Sequence, residues 1–220
     1  MPRKSEASVK DPSKSERTRS RILDATAHVL STKGFAGTRL TDVAKHAELQ
    51  APAIYYYFAS REDLIEEAMF RGINDLRDHL QRALDALPTD TTPMDRILTA
   101  AEVHLRHGLD LSDYARASIR NSGQIPDRLR ARQKKELTAY HRIWQRLIAA
   151  AAADGQIRGD LDPKIAQSLI LGALNWSAEW WDPRRNSVDT LVTNAQAFIR
   201  HSLAPAAKPA RRRAKGRAAG

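Results

Sequence analysis

The stretch from Gly34 to Leu64, GFAGTRLTDVAKHAELQAPAIYYYFASREDL, carries the strongest indication of the fold. It holds two short apolar patterns, the second ending in Ile54 and Phe58, with a break at Glu48-Leu49-Gln50 between them. Two brief helices joined by a tight turn are the outline of a helix-turn-helix. The residues spaced to pack against a preceding helix are Leu40, Val43, Ala47, Leu49, Ile54 and Phe58.

The remaining residues of this stretch are available for the opposite side of the two helices. Hydroxyls, a Gln amide, cations and helix N-terminal amides bind phosphate oxygens, and a helix in the major groove reads bases mainly with its N-terminal residues. We therefore predict a DNA-facing surface, with base contacts mainly from Gln50 and Tyr55. Its members are Thr38, Arg39, Thr41, Gln50, Ala51, Pro52, Tyr55, Tyr56, Tyr57 and Arg61.

Outside this stretch, apolar residues recur three and four positions apart and alternation with a period of two hardly occurs. This pattern predicts an all-helical protein of about nine helices. A first helix is expected from about Ser15 to Lys33, stopped by Gly34 as a left-handed cap residue. Ser60 caps a long helix with Asp63 as its partner. The others are expected at about 93–109, 113–122, 126–154, 163–181 and 187–203.

Composition limits the classes of function. No run of about 18 uncharged apolar residues occurs and the N-terminus is polar, so we expect neither a membrane span nor a secretory signal, and a cytoplasmic protein. The absence of cysteine excludes disulfides, thiolate nucleophiles and cysteine-based metal sites. We find no Gly-rich phosphate loop, nucleophile elbow or two-carboxylate motif, and predict neither an enzyme nor a cofactor.

Three histidines are candidate metal ligands. His104 and His107 are one helical turn apart, and His141 could approach them from another helix. The sequence fixes no third ligand, and two histidines on one helix are usually solvated or capping. We therefore predict no metal site.

Positive charge is concentrated at the C-terminus. The chain has a formal net charge of +10, and Pro205–Gly220 contains six Lys and Arg residues and no acid. This segment is rich in Ala, Pro and Gly, so we expect residues 205–220 to form a disordered tail and residues 1–14 a disordered arm. The tail is either a solubilising end or a sequence-blind anchor on phosphates.

The central stretch resembles the TetR family of bacterial transcriptional repressors. The matching residues are Gly34-Phe35, Thr38, Val43-Ala44, Ala47, Ile54-Tyr55-Tyr56, Phe58, Ser60-Arg61-Glu62 and Leu64. The resemblance implies a DNA-binding domain at 15–65 and a ligand-binding and dimerisation domain at 66–204. It also implies a homodimer, formed through the last two helices, that places Ala51–Tyr57 of each subunit in a major groove of a palindromic operator.

Four positions depart from the family pattern. Glu48 replaces the usual Gly of the turn, which strains the chain if the backbone there is left-handed. Arg39 stands where a small hydroxyl residue commonly caps the next helix, so Thr38 has to act as the cap and Arg39 is free to contact phosphate. Pro52 is tolerable in the first turn of its helix, and Tyr57 replaces the usual His.

A second resemblance involves Gly155–Pro163, Leu171–Trp176 and Trp180–Pro183. These segments are similar to a TetR subgroup whose ligands are acyl-CoA thioesters. That resemblance implies an effector with an apolar acyl part and an anionic nucleotide part. The residues that could supply apolar surface are Tyr140, Trp144, Trp176 and Trp180, and those that could contact phosphate are Arg120 and Arg184.

The sequence therefore predicts a ligand-responsive transcriptional repressor, associated with the nucleoid when it is bound to DNA. One alternative is a TetR-type regulator that responds to another apolar small molecule. The other is an architectural protein that coats DNA with little regard to sequence, driven by the basic tail.

Overall fold

A computed structural model describes residues 13–111, 113–121 and 124–205, with the backbone alone at 110, 111, 115, 119 and 120. The predicted N-terminal arm and basic tail therefore lie almost wholly outside the described residues. The helices are α1 (Lys14–Gly37), α2 (Leu40–His46), α3 (Ala51–Ile54), α4 (Arg61–Asp85), α5 (Pro93–Arg106), α6 (Asp113–Asn121), α7 (Ala131–Ala153), α8 (Pro163–Trp180) and α9 (Val188–Leu203). These ranges contain no strand, which confirms the all-helical prediction. Within them, no helix combines the length and apolar character needed to cross a bilayer.

Side-chain caps fix the beginnings of five helices. The side chains of Ser13, Ser60, Thr92, Asp162 and Ser187 accept hydrogen bonds from backbone N–H groups in the first turns of α1, α4, α5, α8 and α9. Such bonds satisfy donors that a helix start otherwise leaves open. The expected cap at Ser60 is confirmed, because its Oγ accepts from the N–H of Asp63 at 3.0 Å.

Two predicted helices differ in detail. The segment expected at 126–154 begins with a 3₁₀ turn, Asp127–Leu129, and α7 starts only at Ala131. Beyond Arg106, α5 continues as a π-helical turn, His107–Leu111, which leads towards α6. Single π turns inside or next to α-helices are frequent at functional sites.

The end of α1 corrects one expectation. Gly34 has φ +71° and ψ 176° and interrupts the helix, which resumes for one turn to Gly37. Thr38 does not cap α2: it is only 2% exposed, and its hydroxyl donates to the Gly34 carbonyl at 2.8 Å. Thr38 thus closes the end of α1, and the residue before α2 is Arg39.

Three apolar clusters form the interior. One packs α1 to α4 around Ile22, Val43, Ile54 and Leu64, and another fills the body formed by α4, α5 and α7 to α9. The third joins them and contains Leu30, Ile65, Met69, Ala117, Ile125 and Leu129, from α1, α4, α6 and the segment before α7. Because α4 continues through residues 65 and 66, the expected domain boundary lies inside one helix.

Polar bonds fasten α6 to α1. The buried Asn121 side chain accepts from the Phe35 N–H at 2.7 Å and donates to the Leu30 carbonyl at 3.2 Å. The Tyr114 hydroxyl donates to Asp24 at 2.8 Å. Asp113 accepts a hydrogen bond from the Ser31 hydroxyl at 3.1 Å. A movement of α6 would leave these groups without partners, so α1 has to follow it.

Helix α6 packs tightly against α4 at Gly72. A Cβ atom at this position would lie 2.9 Å from the Cβ of Tyr114, an atom that cannot move without its backbone. Overpacking costs about 1–3 kcal/mol, and the better helix propensity of alanine offsets about 1 kcal/mol of it. The net cost is about 0–2 kcal/mol, so we expect Gly72→Ala to lower the free energy of unfolding by about 1 kcal/mol, measured by urea denaturation.

Gly159→Ala is the matched control, because a Cβ there meets no described atom within 4 Å. It should change the free energy of unfolding by less than about 0.5 kcal/mol. Equal stability of the two variants would show that α4 and α6 are not in tight contact.

Candidate nucleic-acid interface and ligand cavity

The turn between α2 and α3 is held in a left-handed conformation. Glu48 has φ +54°, and no other described residue except glycine has a positive φ. The Ala47 N–H donates to the Val43 carbonyl at 2.8 Å and the Leu49 N–H donates to the Ala44 carbonyl at 2.9 Å, which fixes the turn. The strain expected where Glu48 replaces glycine is therefore present.

As predicted, one face of the α2–α3 pair is buried and the other is exposed. Val43, Ala47, Ile54 and Phe58 are buried, and Leu40 and Leu49 are half-buried against them. The exposed residues on the outer face are Arg39, Thr41, Gln50, Pro52, Tyr55 and Tyr56. Tyr56 is 83% exposed, and Ala51 and Tyr57 are half-buried. The outer face is therefore a polar and aromatic surface, carried by two helices whose inner faces are buried.

Helices α2 and α3 begin without side-chain caps among the described residues. Their N-cap residues, Arg39 and Gln50, make no such hydrogen bond, in contrast to the five capped helices. Pro52 lies in the first turn of α3, where it removes an amide that has no helical partner anyway. Open amides at helix starts, beside an exposed arginine, are suited to bind an anion.

Two predicted surface residues face inward. The Arg61 Nε donates to the Thr38 carbonyl at 2.6 Å, a second guanidinium nitrogen donates to the Phe35 carbonyl, and a third pairs with Glu62 at 3.0 Å. The guanidinium also lies over the Phe35 ring, 4.7 Å from its centre. Arg61 therefore ties the end of α1 to the start of α4, and Thr38 is buried beside it.

The structure does not gather the six predicted ligand residues into one pocket. Tyr140 and Trp144 are buried in the body, whereas Trp176 and Trp180 are 64% and 56% exposed on α8. Arg184 lies on the exposed α8–α9 connection and forms a two-pronged ion pair with Asp182. The side chain of Arg120 lies outside the described residues.

A cavity of about 60 Å³ lies elsewhere, between α4, α5, the π turn, α6 and α8. Its walls are mostly apolar, with His104, His107, Asn175, Ser118 and Ser177 as polar members. The sequence offers two expectations for His104 and His107, metal ligation or a solvated or capping role; they are not solvated, because both are buried. Their one-turn spacing was a usable indication that they share a face.

The His104 ring already has partners. Its Nδ1 lies 2.7 Å from the Tyr140 hydroxyl, and burial lowers the pKa of His104 to about 4. The Asn175 side chain opposes this shift by hydrogen bonding to the ring. His104 is therefore a neutral, hydrogen-bonded member of the cavity wall at pH 7.

Two family models match this chain. Residues 22–68 match the model for bacterial regulatory proteins of the tetR family, and residues 90–202 match the "Tetracyclin repressor-like, C-terminal domain". The chain belongs to the TetR family. Its helix-turn-helix, α2 and α3, is thus the DNA-binding element of a TetR-type transcriptional regulator.

Relatives and solved structures agree with the TetR assignment. The transcriptional repressor KstR2 of Mycolicibacterium smegmatis is 22% identical over 78% of this chain and 83% of its own. The structure of AibR with isovaleryl coenzyme A and operator DNA has a TM-score of 0.73 at 17% identity, covering 83% of this chain and 96% of that one. The structure of FadR from Bacillus subtilis in complex with stearoyl-CoA has a TM-score of 0.69 at 18% identity, covering 84% of this chain and 98% of that one.

Arg39 and Arg61 provide a test of which arginine contacts DNA in this TetR-family chain. Arg61→Ala removes charge-assisted hydrogen bonds to buried carbonyls, so we expect a loss of about 2 kcal/mol in the free energy of unfolding. Arg39→Ala, at an exposed position, should change it by less than about 0.5 kcal/mol but weaken DNA binding. Urea denaturation measures the free energy of unfolding of each variant, and DNA titration measures its affinity for DNA. The reverse pattern would contradict the assignment.

His104 provides a test by pH. Its folded-state pKa of about 4 lies below the usual value of 6.5, so only the unfolded chain takes up a proton between these pH values. The stability due to neutral His104 is complete above pH 6.5 and is lost as the pH falls towards 4, roughly 2 kcal/mol between pH 7 and pH 5.

We expect His104→Gln to reduce the pH dependence of the free energy of unfolding by about that amount. His201→Gln, at an exposed position on α9, is the matched control. If both variants keep the wild-type pH dependence, His104 does not have a lowered pKa.

Proposed function

We propose that this chain is a ligand-responsive transcriptional repressor that binds a palindromic operator as a homodimer and is released by a small-molecule effector. The observation that carries the proposal is the double role of α6. Ser118 of α6 lines the cavity, while Asp113, Tyr114 and Asn121 of the same helix bind α1 of the DNA-binding end. A ligand that displaces α6 must displace the DNA-binding helices too.

The energetic requirement for release is modest. The effector has to bind the arrangement that cannot engage DNA more tightly than the one that can, and a coupling of about 1–3 kcal/mol is ordinary. The 60 Å³ cavity is too small for a whole effector, since ligand pockets usually measure about 300 Å³ or more. Binding must therefore enlarge the cavity, which supplies the movement.

On the DNA side, we assign base contacts to Gln50 and Tyr55 and phosphate contacts to Arg39 and Thr41. These side chains are exposed on one surface, next to the uncapped starts of α2 and α3. Ala51 and Pro52 offer apolar contacts to thymine methyl groups. The repressor binds its operator in the cytoplasm, where bacterial DNA lies.

For the effector, we propose an acyl-CoA thioester. AibR, with isovaleryl coenzyme A and operator DNA, and FadR, with stearoyl-CoA, have this fold. The cavity of the present chain has apolar walls with few polar groups, which suits an acyl chain. Neither a metal nor a cofactor enters the proposal.

For the dimer, we propose the outer faces of α8 and α9. Large apolar side chains on these helices are exposed, namely Ile165, Leu169, Trp176, Trp180 and Phe198. Trp180 and Phe198 also line an apolar groove of about 220 Å³ between the two helices. Symmetric pairing of two such faces would bury them in a four-helix interface.

Leu169→Glu tests the interface. A carboxylate there would be buried without a partner on pairing, so we expect this variant to sediment as a monomer while the wild-type chain sediments as a dimer. Leu137→Glu introduces the same change at an exposed site on α7 and should remain dimeric. A dimeric Leu169→Glu variant would move the interface elsewhere.

The proposed repressor function is tested by measuring how the purified protein binds DNA. The DNA is taken from upstream of the protein's own gene and of the adjacent genes. Binding is titrated with and without a panel of CoA thioesters, with a random duplex of equal length as the control. Saturable binding that one thioester releases supports the proposal. Specific binding that no thioester affects removes the acyl-CoA part and favours another apolar effector.

The architectural alternative is tested in the same titration. Equal affinity for the upstream DNA and the random duplex, with a steep salt dependence, would support it and overturn the repressor proposal. Removing residues 205–220 then measures how much of the salt dependence comes from the basic tail. An unchanged salt slope assigns the tail a solubilising role only.

A further inference from the structure

Helix α7 presents an exposed face that carries positive charge and no acidic residue. Its apolar side, with Tyr140, Trp144 and Ile148, is buried in the body. Residues spaced three or four apart lie on one side of a helix, so the opposite side forms a continuous strip, here called the α7 face. Its members, all exposed, are Ala131, Lys134, Lys135, Thr138, Arg142, Gln145, Arg146 and Ala149.

The charges of the α7 face are not neutralised within the protein. Lys134, Lys135, Arg142 and Arg146 form no ion pair with any described residue. Exposed arginines elsewhere on the body do: Arg158 pairs with Asp160 at 2.7 Å, and Arg200 pairs with Asp95 at 2.6 Å. The acidic residue of α7, Glu136, is half-buried off this face and pairs with Arg77. A strip of unpaired cations attracts a polyanion.

The shape of the α7 face leaves room for phosphate groups. A shallow depression of about 420 Å³ is lined by Ala139, Arg142, Gln145 and Arg146. A neighbouring depression of about 400 Å³ shares Gln145 and extends to Lys164 at the start of α8. Asp162 lines the second depression too, but its carboxylate is engaged with the N–H groups of Lys164 and Ile165. The side chains between the cations are small, so a strand of phosphates can approach the helix.

The α7 face leads away from the DNA-facing surface. At the start of α7, Arg132 pairs with Glu67, in the second turn of α4, at 2.8 Å. Arg146 lies fourteen residues further along α7, or about 21 Å at the usual rise per residue. The connection that follows α7 reaches the start of α5, because the Met94 N–H donates to the Gln156 side chain at 2.6 Å. An operator held by α2 and α3 is therefore out of reach of Arg142 and Arg146.

The basic C-terminal segment is attached at the same end of the body. The Leu203 carbonyl, at the end of α9, accepts from the Arg158 N–H of the α7–α8 connection at 2.8 Å. Pro205 follows two residues later, and Pro205–Gly220 contains six Lys and Arg residues and no acid. The structure thus brings a second source of positive charge to the end of the body that is remote from the helix-turn-helix.

We propose that the α7 face binds the phosphates of a second DNA duplex, without regard to sequence, while the helix-turn-helix holds the operator. Around an operator-bound regulator, DNA is the polyanion at the highest local concentration. Long exposed cations on a helix contact backbone phosphates and carry no base readout. The α7 face uses none of the residues assigned to the dimer interface, so each subunit of a dimer offers one. This inference goes beyond repression at one site, because such a dimer would link two segments of DNA.

A two-duplex experiment tests the inference. The upstream duplex is immobilised on beads, loaded with full-length protein and washed. A labelled random duplex of equal length is then added at a series of salt concentrations from about 50 mM upwards. Retention of the labelled duplex requires protein that holds both duplexes.

The double variant Arg142→Gln, Arg146→Gln assigns the second binding site. We expect it to bind the labelled duplex tenfold or more weakly than the wild-type chain. The slope of log K against log salt should become shallower by about 2, because each phosphate contact contributes about 0.9. Its affinity for the upstream duplex should change by less than twofold, since both arginines are remote from the helix-turn-helix.

The double variant Arg158→Gln, Arg200→Gln is the matched control. It removes the same charge from exposed arginines that already have acidic partners, and should change binding of the labelled duplex by less than twofold. Thermal unfolding checks that both double variants are folded. Both are also measured in chains without residues 205–220, so that any phosphate binding by the tail is separated from that of the α7 face.

The outcomes separate this inference from the repressor proposal. Specific binding of the upstream duplex without retention of the labelled one overturns the inference and leaves the repressor standing. Retention that is lost with the tail but unaffected by the α7 substitutions also contradicts it. So does binding to phosphatidylserine vesicles without retention of DNA, which assigns the face to a lipid surface. If no upstream DNA is bound specifically, the repressor proposal fails. Weaker binding of random DNA by the α7 variant alone would then still support the inference.

Discussion

The side-chain amide of Asn121 is the constraint on which the arrangement of the two ends depends. It is fully buried at the end of α6, and it bonds to Phe35 and Leu30 on either side of the break at Gly34. A buried amide without partners costs about 1–3 kcal/mol, so α6 and the end of α1 keep one relative position unless something offsets that loss. The rings of His28 and His46 extend the connection, because they stack at 4.0 Å and His28 bonds to Asp113 at 2.8 Å. Contact is thus continuous from α6 through α1 to α2.

Local stability is unevenly distributed along the chain. The long helices that form the body begin with a serine, threonine or aspartate cap or follow a 3₁₀ turn, whereas α2 and α3 begin with open amides and are joined by a strained residue, Glu48. Groups left unsatisfied in the free protein are those that an anion can satisfy. The helix pair is therefore held by its buried face, through Val43, Ile54 and Phe58, and leaves its outer face ready for a partner.

Much of the fold could be predicted from the sequence, because the helical periodicity of apolar residues agrees with the positions of capping and helix-breaking residues. Ser60, Pro93 and Pro163 each mark a helix boundary, and Gly34 breaks α1 three residues before its end. The exposed face of α2 and α3 followed from which of their residues were needed for packing. The inward turn of Arg61 could not be predicted, since it depends on carbonyls of Phe35 and Thr38 that only the tertiary fold brings near. The dispersal of the six predicted ligand residues could not be predicted for a similar reason. Tryptophans carry the largest apolar surface, but whether Trp176 faces a cavity or the exterior depends on how α8 is rotated. His104 and His107 became lining residues through the packing of α8 against α5.

The unbroken course of α4 has a mechanical consequence. Between its contact with Tyr114 at Gly72 and its first residue, Arg61, the helix extends by eleven residues, or about 16 Å at the usual rise per residue. Such a rod is a lever arm with its fulcrum at the tight contact, and a rotation of about 4° there moves the far end by about 1 Å. In a symmetric pair the displacements add to about 2 Å, against half-sites separated by about 34–36 Å in B-form DNA. In the proposed homodimer, a small displacement at this contact would be enlarged at the DNA-binding ends, relative to a half-site spacing that the double helix fixes.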